Sequence, residues 1–374
     1  MEFRQLIMNG ENTCLTNFKL GLGFRILSLI ILIASNYFVM AYEIDPDATI
    51  ADSSTSLLGI NHIALSVKDL DSILEFYQSA SDFKLISRET VRNSGAADKL
   101  FGHENIEYEV AVLEAPNMLF ELTAFSHNRD KPLSKMPVQG PGMTHTCFQS
   151  PAHLSGYDKF KRSGAEMLSR GDGPVDLLGQ GVTYAYAYDP EGNMLELEQL
   201  DFDRLGGDRR SPEWIEQGFD MWMTQVALVT HDIERLTDFY AEIMGFNPYR
   251  TVDIKDRPTF DDATDIDNLS LRVMFFRMAA QSKSMEFWEY VSPATPEQMG
   301  KRNSTDFGYS YSLEVGDIQA EHARMVGLGV EFVSEPVLLG NFWQAYANDI
   351  DGNVFSLRQA VDPNSPYSVP RLEL

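Results

Sequence analysis

The sequence predicts an α+β fold: four successive β-α-β-β-β modules, two in each half of the chain. Three observations predict it. A strand–turn–helix pattern opens at Leu58 and returns at Met143, Met223 and Tyr309. Each copy closes on a short apolar strand with a glutamate, or in the last copy a serine, at a matching place. Between the second and third copies, Phe202 to Phe219 contains Gly-Gly-Asp-Arg-Arg-Ser-Pro and reads as the linker between halves.

The first unit shows the pattern most fully. In Leu58 to Leu85, Ile63, Leu65 and Val67 point to one side of a strand, and His62, Ala64 and Ser66 to the other. Asp69 stands at the N-cap position. Leu70, Ile73, Leu74 and Tyr77 then form one apolar stripe at helical spacing, which packs on the Ile63 face. His62 is left among small side chains on the opposite face, where core packing does not explain it. Tyr108 to Leu113 reads as a middle strand, and Met118 to Phe125 closes the unit with Glu121.

The second unit, Met143 to Ala165 onward, has His145 where the first has His62, and ends in Asp-Pro-Glu-Gly-Asn followed by a strand with Glu196. The third, Met223 to Phe246 onward, has Gln225 in that place, Asp232 at the cap, and Ile233, Leu236, Phe239 and Tyr240 as the stripe. Its closing strand carries Glu286. The fourth begins at Tyr309 with Ser310, and Ser356 aligns with Glu196 after Asp-Ile-Asp-Gly-Asn. The two halves are expected at 58–201 and 220–361, with residues 362–374, which carry three prolines, as a tail.

If the units of each half pair side by side, His62, Glu121, His145 and Glu196 converge from four strands. One such residue is as well explained by hydrogen bonding in a core or by a strand-edge charge. Four at equivalent places form a donor set suited to one divalent ion: zinc, nickel, iron(II) or manganese. Gln225 and Glu286 are able to ligate, but Ser310 and Ser356 are poor ligands, so the C-terminal half is expected to be a degenerate copy.

The strings Asn61-His-Ile-Ala-Leu-Ser-Val-Lys-Asp-Leu-Asp-Ser-Ile-Leu-Glu-Phe-Tyr77 and Asp189-Pro-Glu-Gly-Asn-Met-Leu-Glu-Leu-Glu-Gln199 carry a resemblance. Over about residues 58–361 the chain resembles the vicinal oxygen chelate superfamily, which includes glyoxalases, bleomycin-resistance proteins, methylmalonyl-CoA epimerases and extradiol dioxygenases. The resemblance implies modules paired into two cup-shaped sheets, and it places the family's metal ligands on His62, Glu121, His145 and Glu196. It implies a lyase or isomerase that moves a proton next to a carbonyl of a small-molecule substrate, with Glu121 or Glu196 as the base. Two alternatives stay open: an iron(II) extradiol dioxygenase using both histidines and Glu196, and a non-catalytic binding protein.

Composition bounds the rest. A formal charge of −25 and a pI near 4.6 exclude nucleic acid as a natural partner, because its phosphates are repelled. Cys14 and Cys147 give neither a disulfide framework nor a zinc motif. Lys19 and Arg25, the apolar run from Ile26, and Val39-Met40-Ala41 have the layout of a secretory signal peptide over 1–41, followed by a disordered lead-in over 42–57. The run falls short of the ~20 residues a membrane span needs, so export with cleavage after Ala41 is expected over an anchor. Oligomeric state is not legible.

Overall fold

A computed structural model of the chain describes residues 55–205, 211–278, 283–298 and 300–372. The expected signal peptide, and the lead-in up to residue 54, lie outside the described residues. Among those described, no helix is long and apolar enough to cross a membrane.

Unit one comprises β1 (Leu57–Ser66), α1 (Leu70–Ala80), β2 (Lys84–Val91), a short α2 (Gly95–Phe101), β3 (Tyr108–Glu114) and β4 (Leu119–Phe125). Unit two comprises β5 (Gly142–His145), β6 (Cys147–Pro151), α3 (Gly156–Arg162), β7 (Glu166–Met167), β8 (Val175–Asp176), β9 (Val182–Tyr188) and β10 (Met194–Leu200). The connector carries α4 (Phe202–Leu205) and α5 (Ser211–Glu216). Unit three comprises β11 (Trp222–Met223), β12 (Gln225–Val229), α6 (Ile233–Met244), β13 (Arg250–Lys255), α7 (Pro258–Thr264), β14 (Ser270–Arg277) and β15 (Ser284–Ser292). Unit four comprises β16 (Gly308–Val315), α8 (Ile318–Gly327), β17 (Glu331–Phe332), β18 (Val337–Leu339), β19 (Phe342–Asn348) and β20 (Val354–Ala360), and α9 (Val369–Leu372) follows it.

The main helices start where an aspartate caps them. Asp69 accepts from Ser72 N at 3.1 Å, Asp232 from Arg235 N at 3.1 Å and Asp317 from Ala320 N at 3.0 Å. The sheets are mixed, curled and not closed, as expected for paired modules. Which units pair is a correction. The two units of a half do not share a sheet. β1 runs antiparallel to β16, from Leu57 opposite Val315 to Ser66 opposite Gly308, giving the order β17-β19-β20-β16-β1-β4-β3-β2. Units one and four therefore build one sheet. Units two and three build the other, through β5 with β12 and β6 with β11.

The physical reason lies in the helices. The two units of each half meet through them, not through their strands. Phe76 of α1 meets Phe160 of α3 edge-on at 5.8 Å, and Tyr77 stacks on Phe148 at 5.7 Å. Tyr77 Oη donates to Asp189 Oδ2 at 3.2 Å, in the turn before β10. Unit three repeats the device on unit four: Tyr240 Oη donates to Asp349 Oδ2 at 3.0 Å. Each turn aspartate also accepts the backbone N–H and side-chain amide of the following asparagine, Asn193 or Asn353. With its helix face spent on the neighbouring unit, each opening strand must find its sheet partner in the other half. One continuous core holds side chains of all four units, including Ile63, Phe148, Leu228 and Tyr311.

The segments expected as lead-in, linker and tail also pack. Leu57 joins β1 and Ser56 O accepts from Gly316 N at 2.7 Å. Trp214 of α5 is buried against Trp222. Val369 and Leu372 are buried, and Val369 N donates to Glu314 at 2.7 Å.

Because each sheet takes strands from both halves, a chain divided within residues 206–210 should give two fragments that do not unfold cooperatively as monomers. Mixing them should restore the transition. Circular dichroism with urea, paired with sedimentation, reads this, and a cooperative monomeric fragment would contradict the pairing.

Candidate metal centre

The sheet of units two and three is irregular at its middle. Thr146 separates β5 from β6, and Thr224 separates β11 from β12. The ladder still continues across the break: Thr224 N donates to Cys147 O at 3.1 Å and Glu196 N to Thr146 O at 3.0 Å. Thr146 Oγ1 donates to Gln225 O at 2.8 Å. Breaks of this kind re-aim side chains. Here they sit beside His145, the last residue of β5, and Gln225, the first of β12. β10 places Glu196 opposite Cys147, and β15 places Glu286 opposite Ala227.

His145 Nε2 lies 3.4 Å from Glu196 Oε2, and both side chains are 3% exposed. Gln225 Nε2 donates to Glu196 Oε1 at 3.1 Å. Glu286 accepts from Ser284 Oγ at 3.1 Å and from Trp288 Nε1 at 3.3 Å. The rings of Tyr186 and Trp288 stand edge-on to His145 at 5.2 and 6.0 Å. Burial alone would raise the Glu196 pKa, but the His145 contact and bonds from Tyr186 and Cys147 outweigh it and hold the carboxyl below its usual range. Glu286 goes the other way, to about 8, from burial first and the Glu196 charge second, against the pull of Arg250.

A divalent ion fits here. Among the described residues, His145 Nε2 is buried with no hydrogen-bond partner. Beside it are two carboxylates and an amide that turns its oxygen inward by rotating about its last bond. An uncompensated buried charge costs several kcal/mol, a large share of a total stability of about 5–15 kcal/mol. A cation among Glu196, Glu286 and Glu198 removes that cost. Cys147, Glu196 and Glu198 also bring ligand atoms within 4.8 Å of one another. Within that trio Glu198 already accepts from Gln149 Nε2 at 2.7 Å and Cys147 Sγ at 3.7 Å. Burial, then the charges of Glu196 and Glu198, push the Cys147 thiol well up. His145, Glu196 and Gln225 also stand together, with Glu286 near enough to feel the Glu196 charge.

The expected four-residue set is thus split. His145 and Glu196 come together, whereas His62 and Glu121 lie in the sheet of units one and four, with Ser310, Ser312 and Ser356. Arg358 occupies that centre. Its Nη1 lies 3.1 Å from His62 Nδ1, which Asn61 Oδ1 also approaches to 2.9 Å. Burial, then the Arg358 charge, hold the His62 pKa well below its usual value. Burial raises the Glu121 pKa against the opposing pull of Arg358 and Thr123. A guanidinium here repels a metal ion. Gln225 and Glu286 were visible in the sequence at the right repeat positions. Arg358, standing where unit two has Glu198, was the signal that the first sheet carries its own cation.

The profile of the Glyoxalase/Bleomycin resistance protein/Dioxygenase superfamily matches residues 59–197 and 222–357, and the chain belongs to that superfamily. An ethylmalonyl-CoA/methylmalonyl-CoA epimerase of Cereibacter sphaeroides is 25% identical over 145 residues, which are 38% of this chain and 97% of that protein. Glyoxalase I from Zea mays is 20% identical and superposes with a TM-score of 0.54, covering 83% of this chain and 94% of that one. A putative dioxygenase from Bacillus subtilis is 11% identical with a TM-score of 0.53, covering 83% and 87%. These likenesses to solved structures show the fold alone.

Elemental analysis of the purified chain should find one divalent ion. His145→Ala and Glu196→Ala should each weaken its binding beyond the about 10–100-fold that outer partners cost. His62→Ala and Glu121→Ala should leave the content unchanged. Loss of the ion in His62→Ala would return the centre to the other sheet.

Proposed function

We propose that the sheet of units two and three forms the active site of a divalent-metal-dependent lyase or isomerase, which transfers a proton next to a carbonyl of a small molecule. The observation that carries this is the buried cluster in which His145 Nε2 lies 3.4 Å from Glu196 Oε2 and Gln225 Nε2 donates to Glu196 Oε1 at 3.1 Å, with Glu286 near enough to feel the Glu196 charge. Two carboxyl groups in one buried site divide their roles, one staying charged and the other exchanging a proton. A divalent ion held by His145, Glu196, Gln225 and Glu286 would act as a Lewis acid and make a C–H beside a carbonyl more acidic.

The protein's own part is positioning and proton transfer. Gln225 and His145 hold the Glu196 carboxylate from two sides. Ser284 and Trp288 each donate to one oxygen of Glu286 and so fix the plane of its carboxyl group. Glu286 is the proton carrier, and the surrounding Tyr186, Tyr290 and Trp288, all buried, keep bulk water from the transferred proton. The similarity of one segment to an epimerase supports the isomerase side of this reading. The dioxygenase alternative calls for two histidines and a carboxylate on one ion. With His62 in the other sheet it falls behind, and the binding-protein alternative is separated by whether any product forms.

Glu286→Gln keeps the size and one ligating oxygen but removes the base. Once a substrate is found by screening carbonyl compounds for isotope exchange with solvent, this variant, kept metal-loaded, should lose about 10²–10⁴-fold in turnover. Near-normal turnover would remove Glu286 as carrier, and oxygen consumption in the assay would bring the dioxygenase reading forward.

We also propose that the chain is exported, on the charged, apolar and small-residue regions of residues 19–41. Intact mass of the protein recovered from the producing cell's envelope should start at Tyr42, and a full-length membrane-bound chain would refute this.

A further inference from the structure

The sheet of units one and four has kept the concave shape of its counterpart and changed its charge. Its floor is small. Ala64, Ser310, Ser312 and Ser356 lie at the repeat positions nearest the centre, and Ser356 Oγ donates to Ser312 Oγ at 2.9 Å. Around them stand His62 and Arg358, both buried, and the half-buried Glu121, Val112, Phe342 and Gln344. Both ends are closed. At one, Leu100 and Phe101 of α2 pack on Tyr346 and Val354. At the other, Asn61 Nδ2 donates to Tyr367 O at 2.9 Å and to Glu314 at 2.7 Å, drawing the C-terminal segment over the sheet. The half-buried residues are the part of this cluster that reaches solvent.

Inside, the polar groups are incompletely met. Arg358 is 9% exposed, its guanidinium rests 3.6 Å from the centre of the Phe342 ring, and its Nε is buried with no partner among the described residues. A guanidinium carries five N–H donors and no acceptor, so it demands an acceptor-rich partner. Glu121 receives a 3.4 Å bond from Thr123 Oγ1. Among the described residues it closes no ion pair with Arg358, although each feels the other's charge. Arg358 Nη1 is met by His62 Nδ1, while its Nε and the Glu121 carboxylate stand in the same sheet without satisfying each other.

We propose that this cup is a second, metal-free binding site, which takes a small carboxylate bearing a hydroxyl or amino group on the adjacent carbon. The carboxylate meets the planar fork of Arg358, the geometry that guanidinium groups prefer. The neighbouring hydroxyl or ammonium donates to Glu121, and the aliphatic remainder lies against Val112 and Phe342. The site shares no residue with the proposed metal centre, so it stands or falls apart from that reading.

Calorimetric titration of the metal-loaded full chain with L-lactate, L-alanine and propionate tests this. L-lactate or L-alanine should bind once per chain, and propionate, which lacks the second donor, more weakly. Arg358→Gln should weaken binding at least about tenfold, the loss of one charge-assisted hydrogen bond, while the metal content stays at its normal value. Glu121→Gln, which keeps shape, should cost L-alanine more than L-lactate, because the ammonium loses a charge partner. Should Arg358→Gln fail to fold, Arg358→Lys and Glu121→Gln carry the test. Absence of binding by all three probes overturns the proposal. So does unchanged binding in both Arg358→Lys and Glu121→Gln, or binding that disappears in His145→Ala, which places the ligand at the metal centre.

Discussion

The antiparallel seam between opening strands of opposite halves decides what this molecule can do. Where β1 meets β16, His62 and Glu121 face serines and an arginine. Where β5 meets β12, His145 and Glu196 face Gln225 and Glu286. No single side chain chooses between these outcomes. The choice follows from how each helix spends its apolar face, since Tyr77 and Tyr240 commit α1 and α6 to the turn of the next unit in sequence. Each of those tyrosines is fully buried, and its hydroxyl would be costly to strand without the aspartate that receives it.

The elements themselves were legible. Asp69 and Asp232 cap helices as their positions announce, and the strands carry their alternation openly. The pairing was not legible, for a physical reason. A strand's sequence states which face is apolar, but its backbone hydrogen bonds are the same with any partner. The donor set therefore came out half right: His145 and Glu196 belong together, while His62 and Glu121 belong elsewhere. Chemistry would have served better than adjacency. Arg358, two residues beyond Ser356, marks its sheet as a place where no metal ion is welcome, and the same position in unit two is Glu198.

That exchange of Glu198 for Arg358 shows how a repeated scaffold diverges. Both positions lie on the concave side, one strand-residue pair beyond the ligand position, and both carry a charge that the fold buries to 8% and 9% exposure. On one side, acids accumulate until only a proton or a cation settles them, and Glu286 rises to about 8. On the other, a fixed positive charge sits among small hydroxyl side chains. The shell of helices, caps and turns around the two is nearly the same, so the difference in chemistry rests on a few inward positions.

The interlocking of the halves has a consequence for inheritance. A gene segment encoding one half carries two strands' worth of donors for each cup and completes neither. Exchanging a half with a relative would replace part of both sites at once, Gln225 and Glu286 in one and Arg358 in the other. Duplicating the first half would pair unit one with a copy of unit two in both cups and erase the difference between them. Separate retuning of the two centres is thus open to point substitutions along the strands and closed to shuffling of halves, which ties the histories of the two cups together for as long as the seam holds.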